Sequence, residues 1–83
     1  MREWITTAEA AELRGRSRRT MTARCLDHEG LCRRDGRAWL VSRVALSMLE
    51  YDDTGGLCDY AAGDRSSPRV TKYFDKLGIV RDT

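Results

Sequence analysis

Arginines grouped in two short stretches are the residues of this 83-residue chain whose types and spacing could do chemistry. One group holds Arg18 and Arg19, and the other holds Arg33, Arg34 and Arg37. Each guanidinium carries forked N–H donors that fit phosphate oxygens and the edge of guanine. The pattern therefore indicates binding to a polyanion, and duplex nucleic acid offers both kinds of acceptor.

Charge is distributed unevenly along the chain. Between Arg14 and Arg43 there are nine arginines and three acidic residues, whereas the rest of the chain has six basic and ten acidic residues. The formal net charge is only +2, although the central segment alone carries +6. This asymmetry predicts one electropositive face and another face that avoids nucleic acid.

Catalysis and metal binding have weaker support in the sequence. His28 has no serine, cysteine or carboxylate at a spacing that would make it a catalytic base. Cys25, His28, Cys32 and Cys58 are of types that bind zinc, but no Cys-x-x-Cys spacing supports a site. We expect the cysteines to be small hydrophobes without a disulfide framework, and the protein to be neither an enzyme nor dependent on a metal or other cofactor.

Two capped helices separated by a glycine must position the first arginine group. Thr6 and Glu9 fit a capping box at the start of a helix, and Gly15 fits its end. Ser17 fits the cap of a second helix. The apolar face of the first helix is predicted from Ala8, Ala10, Ala11 and Leu13. The inward face of the second is predicted from Met21, Cys25, Leu26 and His28.

Arg18 and Arg19 occupy the first turn of the second helix, where positive charge opposes the helix dipole. That conflict favours a functional role over a merely solvated helix start. Thr22 and Ala23 fall on the same outward arc, so Thr22 could contact a base or phosphate and Ala23 a thymine methyl group.

A hairpin must position the second arginine group. Asp35-Gly36 lies between short strands predicted at 31–34 and 37–41 and favours a tight turn centred on these two residues. The arginines around it either contact nucleic acid or keep an edge strand from aggregating. Trp4 and Trp39 are predicted to clamp the core.

The end of the chain is harder to interpret. Ser42 is predicted to cap a third helix, and residues 52–56 are predicted to be a break. Pro68 and Gly78 bound a predicted helix over 68–77. Its apolar stripe either covers the small core, which we favour, or contacts a partner; the stripe consists of Val70, Tyr73, Phe74 and Leu77.

Two blocks of the chain resemble the excisionase/MerR-type winged helix-turn-helix family. The family's opening string is matched by Ile5, Thr6, Glu9, Ala10, Ala11, Gly15, Ser17, Thr20 and Met21. The phrase that ends its wing is matched by Trp39, Leu40, Val41, Ser42, Arg43, Ala45 and Leu46. Arg14 and Arg16 stand where the family usually has apolar residues, and Arg24 stands near a position that is often Trp. These departures either make the core around the turn shallower or bring the turn to phosphates.

The resemblance implies a mainly α fold with a small β-hairpin, a winged helix-turn-helix over residues 1–51. Residues 52–83 would form a loop and an additional C-terminal helix that packs on or extends the same domain. The second helix would be the recognition helix and the hairpin the wing. The expected DNA contacts are Arg16, Ser17, Arg18, Arg19, Thr20, Thr22, Ala23, Arg33, Arg34 and Arg37.

The function that the resemblance implies is sequence-preferring binding of double-stranded DNA. We favour an excisionase-like recombination directionality factor of a phage or mobile element, with an integrase or other copies of itself on DNA as partners. A small transcriptional regulator and a phage terminase small subunit-like protein are the alternatives. An interaction module that binds protein and not DNA is the alternative of another class. We expect a cytoplasmic protein, because the sequence has neither a secretory signal nor a membrane-spanning apolar run.

Overall fold

The computed structural model describes residues 2–27 and 30–79, except for the side chains of Cys25 and Leu26. This part of the chain forms a small α/β domain with five helices and a three-stranded antiparallel sheet. The elements are β1 (Trp4–Thr6), α1 (Thr7–Arg14), α2 (Arg18–Asp27), β2 (Cys32–Asp35), β3 (Ala38–Ser42), α3 (Arg43–Glu50), α4 (Thr54–Ala61) and α5 (Pro68–Leu77). The predicted inward position of His28 and the predicted tail residues 80–83 lie outside the described residues.

Caps predicted from the sequence begin and end the helices. The Thr6 hydroxyl accepts a hydrogen bond from the amide of Glu9 at 3.1 Å, and the Ser17 hydroxyl accepts one from the amide of Thr20 at 3.2 Å. Ser42 caps α3 in the same way through the amide of Ala45. Gly15 ends α1 with a φ of 60°, a left-handed conformation that glycine adopts without a steric cost. These local predictions are confirmed.

The central strand of the sheet is β3, which pairs with β1 on one side and β2 on the other. The hairpin exists as predicted, but its turn is displaced by one residue. Asp35 pairs with Ala38, so Gly36 and Arg37 are the central residues, and Gly36 has a φ of 63°. A turn with glycine first needs a positive φ only at that residue, so Asp35 stays in the extended conformation as the last residue of β2.

The prediction for the apolar face of α1 is wrong for two of its four residues. Ala10 and Ala11 are buried together with Thr7, whereas Ala8 is exposed and Leu13 keeps 56% of its surface exposed. Helical periodicity puts Ala8 and Leu13 each roughly 110° around the helix from the centre of the buried face. A short helix that packs through alanines therefore leaves its leucine in solvent.

The segment after α3 contains a helix that the sequence analysis did not predict. Asp53 caps α4 by accepting a hydrogen bond from the amide of Gly56 at 2.8 Å. A Cβ atom at Gly56 would lie 2.8 Å from the Asp53 carboxylate, so glycine permits this tight first turn. The helix over 68–77 is confirmed, with Pro68 in its first turn. The side chains of Val70, Tyr73 and Phe74 are buried in the core, as the covering role expects.

A polar network joins this last segment to the sheet. Tyr60 of α4 donates a short hydrogen bond to the carboxylate of Glu3, and its oxygen accepts one from the Ser42 hydroxyl at 2.7 Å. Arg65 forms an ion pair with the same Glu3 carboxylate at 2.5 Å and lies over the Phe74 ring. Burial, reinforced by Glu3, raises the pKa of Tyr60, so its hydroxyl stays a donor. Residues far apart in sequence are thereby held in one domain.

Candidate nucleic-acid interface

The first turn of α2 presents its arginines to solvent because the helix is anchored on its other side. Met21 is 1% exposed and packs in the core, whereas Arg18 and Arg19 are exposed. Arg16, in the turn before α2, is exposed as well. The sequence prediction that Met21 faces inward is confirmed, and this fixes which face of α2 is available.

The hydroxyl groups at this end of α2 are occupied within the helix. The Ser17 and Thr20 hydroxyls lie 2.9 Å apart and hydrogen bond to each other. The Thr22 hydroxyl donates to the carbonyl oxygen of Arg18 at 2.9 Å, which leaves its oxygen lone pairs and methyl group for an outside contact. Ala23 is exposed beside them. These residues therefore shape the surface, while the charge comes from the arginines.

The hairpin arginines are held against aromatic rings. The guanidinium carbon of Arg33 lies 4.5 Å from the centre of the Trp4 ring, and that of Arg34 lies 5.1 Å from the centre of the Trp39 ring. Both arginines, and Arg37 at the turn, are exposed. A guanidinium stacked on a ring keeps its in-plane N–H groups free to donate to another molecule.

Trp39 does not clamp the core as predicted. It is half-buried and lies opposite Arg34 across the hairpin, whereas Val41 on the same strand face is fully buried. The hairpin extends past the core, so only the end of β3 near α3 reaches it. Trp4 is also half-buried but packs against the core cluster. The two tryptophans therefore support the hairpin arginines on either side.

Arg14 has a structural role in the fold. Its guanidinium forms an ion pair with Glu50 at 2.9 Å and donates to the carbonyl oxygen of Leu46 at 3.0 Å. These contacts join α1 to α3 and use donors that a phosphate would need. The family that the chain resembles usually has an apolar residue at this position, and in this chain the two polar contacts of Arg14 take the place of apolar packing.

Ion pairs in the described part of the chain avoid the two arginine groups. They join Arg2 to Glu9, Arg14 to Glu50, Arg65 to Glu3, and Arg69 to Asp53. None of these pairs includes an arginine at the start of α2 or on the hairpin. We call Arg18, Arg19, Arg33, Arg34 and Arg37 the arginine set. No ion pair within the described residues neutralises its charge.

Comparison with known proteins finds no matching family model, curated protein or solved structure. The family resemblance therefore rests on the residues quoted for it, and the function must be inferred from charge and geometry.

The cysteines differ from expectation. Cys32 at the start of β2 is disulfide-bonded, and Cys58 of α4 is a free, exposed thiol. The expectation of no disulfide was based on the compartment, which does not determine which sulfur atoms the fold brings together. Within residues 2–27 and 30–79 no cluster of three or more His, Cys, Asp or Glu side chains could hold a metal ion.

No helix of the described residues combines the length and apolar character needed to cross a bilayer.

The tryptophan partners of the hairpin arginines were missed by the sequence analysis. A two-residue turn at Gly36 and Arg37 puts Arg34 opposite Trp39. The predicted turn one residue earlier pairs position 34 with position 37 instead. For Arg34 and Trp39 the signal was therefore present in the spacing, but finding it required the correct turn; the stack of Arg33 on Trp4 also needed the strand β1.

Proposed function

We propose that this protein binds double-stranded DNA through a winged helix-turn-helix arrangement, with α2 as the recognition helix and the β2–β3 hairpin as the wing. One observation carries the proposal. All five members of the arginine set are exposed, and none takes part in an ion pair with another described residue. Keeping two adjacent arginines at a helix start works against the helix dipole, so a polyanionic ligand accounts for them better than stability does.

The start of α2 would read the major groove. Arg18 and Arg19 can each donate two hydrogen bonds to a guanine edge or reach a phosphate, and the exposed methyl group of Ala23 suits a thymine methyl. Arg16 lies just before this turn and would contact the backbone. Ser17, Thr20 and Thr22 complete the expected surface, with their hydroxyl hydrogen bonds kept inside the helix.

The hairpin would contact the neighbouring backbone or the minor groove. The stacks of Arg33 on Trp4 and Arg34 on Trp39 order these long side chains before a ligand arrives. Ordering in advance lowers the conformational entropy lost on binding. Arg37 at the turn lies at the far end of the hairpin, where it would reach furthest.

The role inside this activity comes from the family resemblance. It favours an excisionase-like recombination directionality factor that acts with an integrase or with other copies on DNA. A small transcriptional regulator or a terminase small subunit-like protein would use the same contacts, so the DNA-binding test applies to all three.

The test is a fluorescence anisotropy titration of random-sequence duplex DNA at low salt. We expect binding by the native chain and a loss of at least about tenfold in affinity for Arg18→Ala combined with Arg19→Ala. The matched control combines Arg2→Ala with Lys72→Ala, which removes the same charge from exposed positions outside the proposed interface. Equal losses in the two double variants would mean unspecific charge attraction. No binding by the native chain would favour the protein-interaction alternative.

A further inference from the structure

A recess of about 230 Å³ opens between α1, α2 and α3. Its floor is apolar, with Met21 and Leu46 almost fully buried beneath it. The charged part of its lining consists of Arg14, Arg16, Arg24 and Glu50. Three guanidinium groups and one carboxylate therefore border the same space.

The single carboxylate of this lining is already paired. Arg14 forms an ion pair with Glu50 at 2.9 Å and donates to the carbonyl oxygen of Leu46. Arg16 and Arg24 are exposed and form no ion pair with another described residue. Since the charges of Arg14 and Glu50 cancel, the lining keeps an excess of two positive charges.

The exposed arc of α2 has an arginine at each edge. Helical periodicity separates Arg19 from Arg24 by roughly 140° around the axis, and Thr20 and Ala23 project between them. All four side chains are exposed, whereas Met21, outside this arc, is 1% exposed. Arg19 and Arg24 therefore lie on the two sides of the face that α2 offers to a ligand.

The width of the major groove brings both edges of such a helix close to phosphates. The groove is about 12 Å wide, and a helix with its side chains is about 10–12 Å across. With Thr20 and Ala23 towards the base pairs, one edge of α2 would face each sugar–phosphate strand. Arg19 would reach one strand, and the other strand would pass beside Arg24 and over the recess that Arg24 lines.

We propose that this recess receives the sugar–phosphate backbone of one DNA strand, with Arg24 neutralising a phosphate and Arg16 holding the same strand. Paired N–H donors of arginine fit phosphate oxygens, and neither guanidinium forms an ion pair with a described carboxylate. Phosphate contacts fix the register of a protein on a duplex. The inference rests on the proposed DNA binding and adds to it Arg24, which the sequence analysis did not assign to the interface.

The salt dependence of DNA affinity isolates the contact of Arg24. Arg24→Ala should weaken binding of a random-sequence duplex about fivefold, and should reduce the slope of log association constant against log salt concentration by about one. Lys72→Ala removes the same charge from the exposed face of α5 and should change neither quantity. Arg24→Lys should keep the slope, because it keeps the charge. If Arg24→Ala matches either Lys72→Ala or Arg24→Lys, the proposal is wrong.

A phosphate contact should also be independent of base sequence. Arg24→Ala should therefore weaken binding of an A·T-rich duplex and of a G·C-rich duplex by the same factor, to within about twofold. A loss confined to one of the two duplexes would mean that Arg24 contacts a base edge, which would overturn the assignment of the recess to the backbone.

Amide chemical shifts of the native chain provide a readout that does not depend on how the variants fold. Duplex DNA should shift the amides of Arg24 and Leu49, which line the recess, and leave that of Lys72 unchanged. Shifts at the start of α2 and on the hairpin without shifts at Arg24 and Leu49 would overturn this inference while leaving DNA binding intact. If the native chain binds no duplex even at low salt, the proposed function fails, and this contact fails with it.

Discussion

The arginine set and the segment after Glu50 differ in whether their charged side chains form ion pairs. Arg65 and Arg69 form ion pairs with Glu3 and Asp53, and the Tyr60 and Tyr73 hydroxyls donate to the same two carboxylates. The arginine set is exposed, and its two stacked members lie on neutral rings. Charge in the last segment therefore joins parts of the chain, whereas the arginine set is exposed and forms no ion pair within the described residues.

This difference separates arginines that form ion pairs from exposed arginines that the proposed function assigns to a ligand, which composition alone cannot do. Arg14 and Arg16 flank the same glycine and look alike in the sequence. Arg14 links α1 to α3 through its contacts with Glu50 and Leu46, whereas Arg16 is exposed and forms no ion pair among the described residues. Variants on the two sides of the comparison should accordingly affect different properties.

The largest expected effect is on stability, at the paired side of the comparison. Glu3→Ala removes the acceptor of both Tyr60 and Arg65, so their polar groups lose a part-buried partner. We expect the free energy of unfolding to fall by about 2 kcal/mol. Urea denaturation measures this. Glu12→Ala, at an exposed carboxylate, is the control and should change it by less than about 0.5 kcal/mol. Equal losses would mean that the network contributes nothing.

A smaller effect, on DNA affinity, is expected at the hairpin, where an arginine of the arginine set is held by a ring of the fold. Trp39→Leu keeps an apolar side chain but removes the ring under Arg34. DNA affinity should fall by about 1 kcal/mol, and Trp39→Phe should retain most of it because phenylalanine also offers a ring face. Anisotropy titration measures both variants. If Phe and Leu weaken binding equally, Arg34 is not held by the stack.

Acid should weaken the domain through Asp53. The Gly56 amide, followed by Tyr73 and Arg69, holds the pKa of the Asp53 carboxyl below its usual value. The unfolded chain therefore binds this proton first. The stabilisation is present above the unfolded pKa of about 3.9 and is lost as the pH falls through the lower folded value. Denaturation at several pH values should show a smaller loss in acid for Asp53→Asn than for the native chain. Identical pH profiles would rule out this contribution.

The smallest expected effect is on stability at the unpaired side. Arg18→Ala with Arg19→Ala removes charges that oppose the helix dipole and form no described ion pair. The free energy of unfolding, measured by thermal denaturation, should change by less than about 0.5 kcal/mol in either direction. A clear destabilisation would mean that these arginines hold the fold together, as Arg65 does.

The features that the sequence predicted are those set by neighbouring residues. Thr6, Ser17 and Ser42 act on amides three residues ahead, and Pro68 and Gly78 bound a helix by their own backbone preferences. The strand β1 was missed because three residues carry no readable alternation, and it forms only because β3 has a free edge. The helix α4 was missed because two glycines suggested a break.

In the candidate site as well, the features set by neighbouring residues could be predicted and those set by remote residues could not. Arg18 and Arg19 at a helix start, and three arginines around a turn, could be predicted from spacing. Which arginines form ion pairs could not be predicted, because the partners are remote: Glu3 and Arg65 are 62 residues apart. The pairing of Arg34 with Trp39 depended on a one-residue choice of turn, and that of Arg33 with Trp4 depended on the unpredicted strand β1.

The most direct test of the central claim is the salt dependence of DNA affinity. When each of the five members of the arginine set neutralises one phosphate, the logarithm of the association constant should fall against the logarithm of salt concentration with a slope of about −4 to −5. Arg18→Ala with Arg19→Ala should reduce the slope by up to about two, and Arg2→Ala with Lys72→Ala should leave it unchanged. A slope near zero, or equal slopes for the two double variants, would contradict DNA binding through this surface.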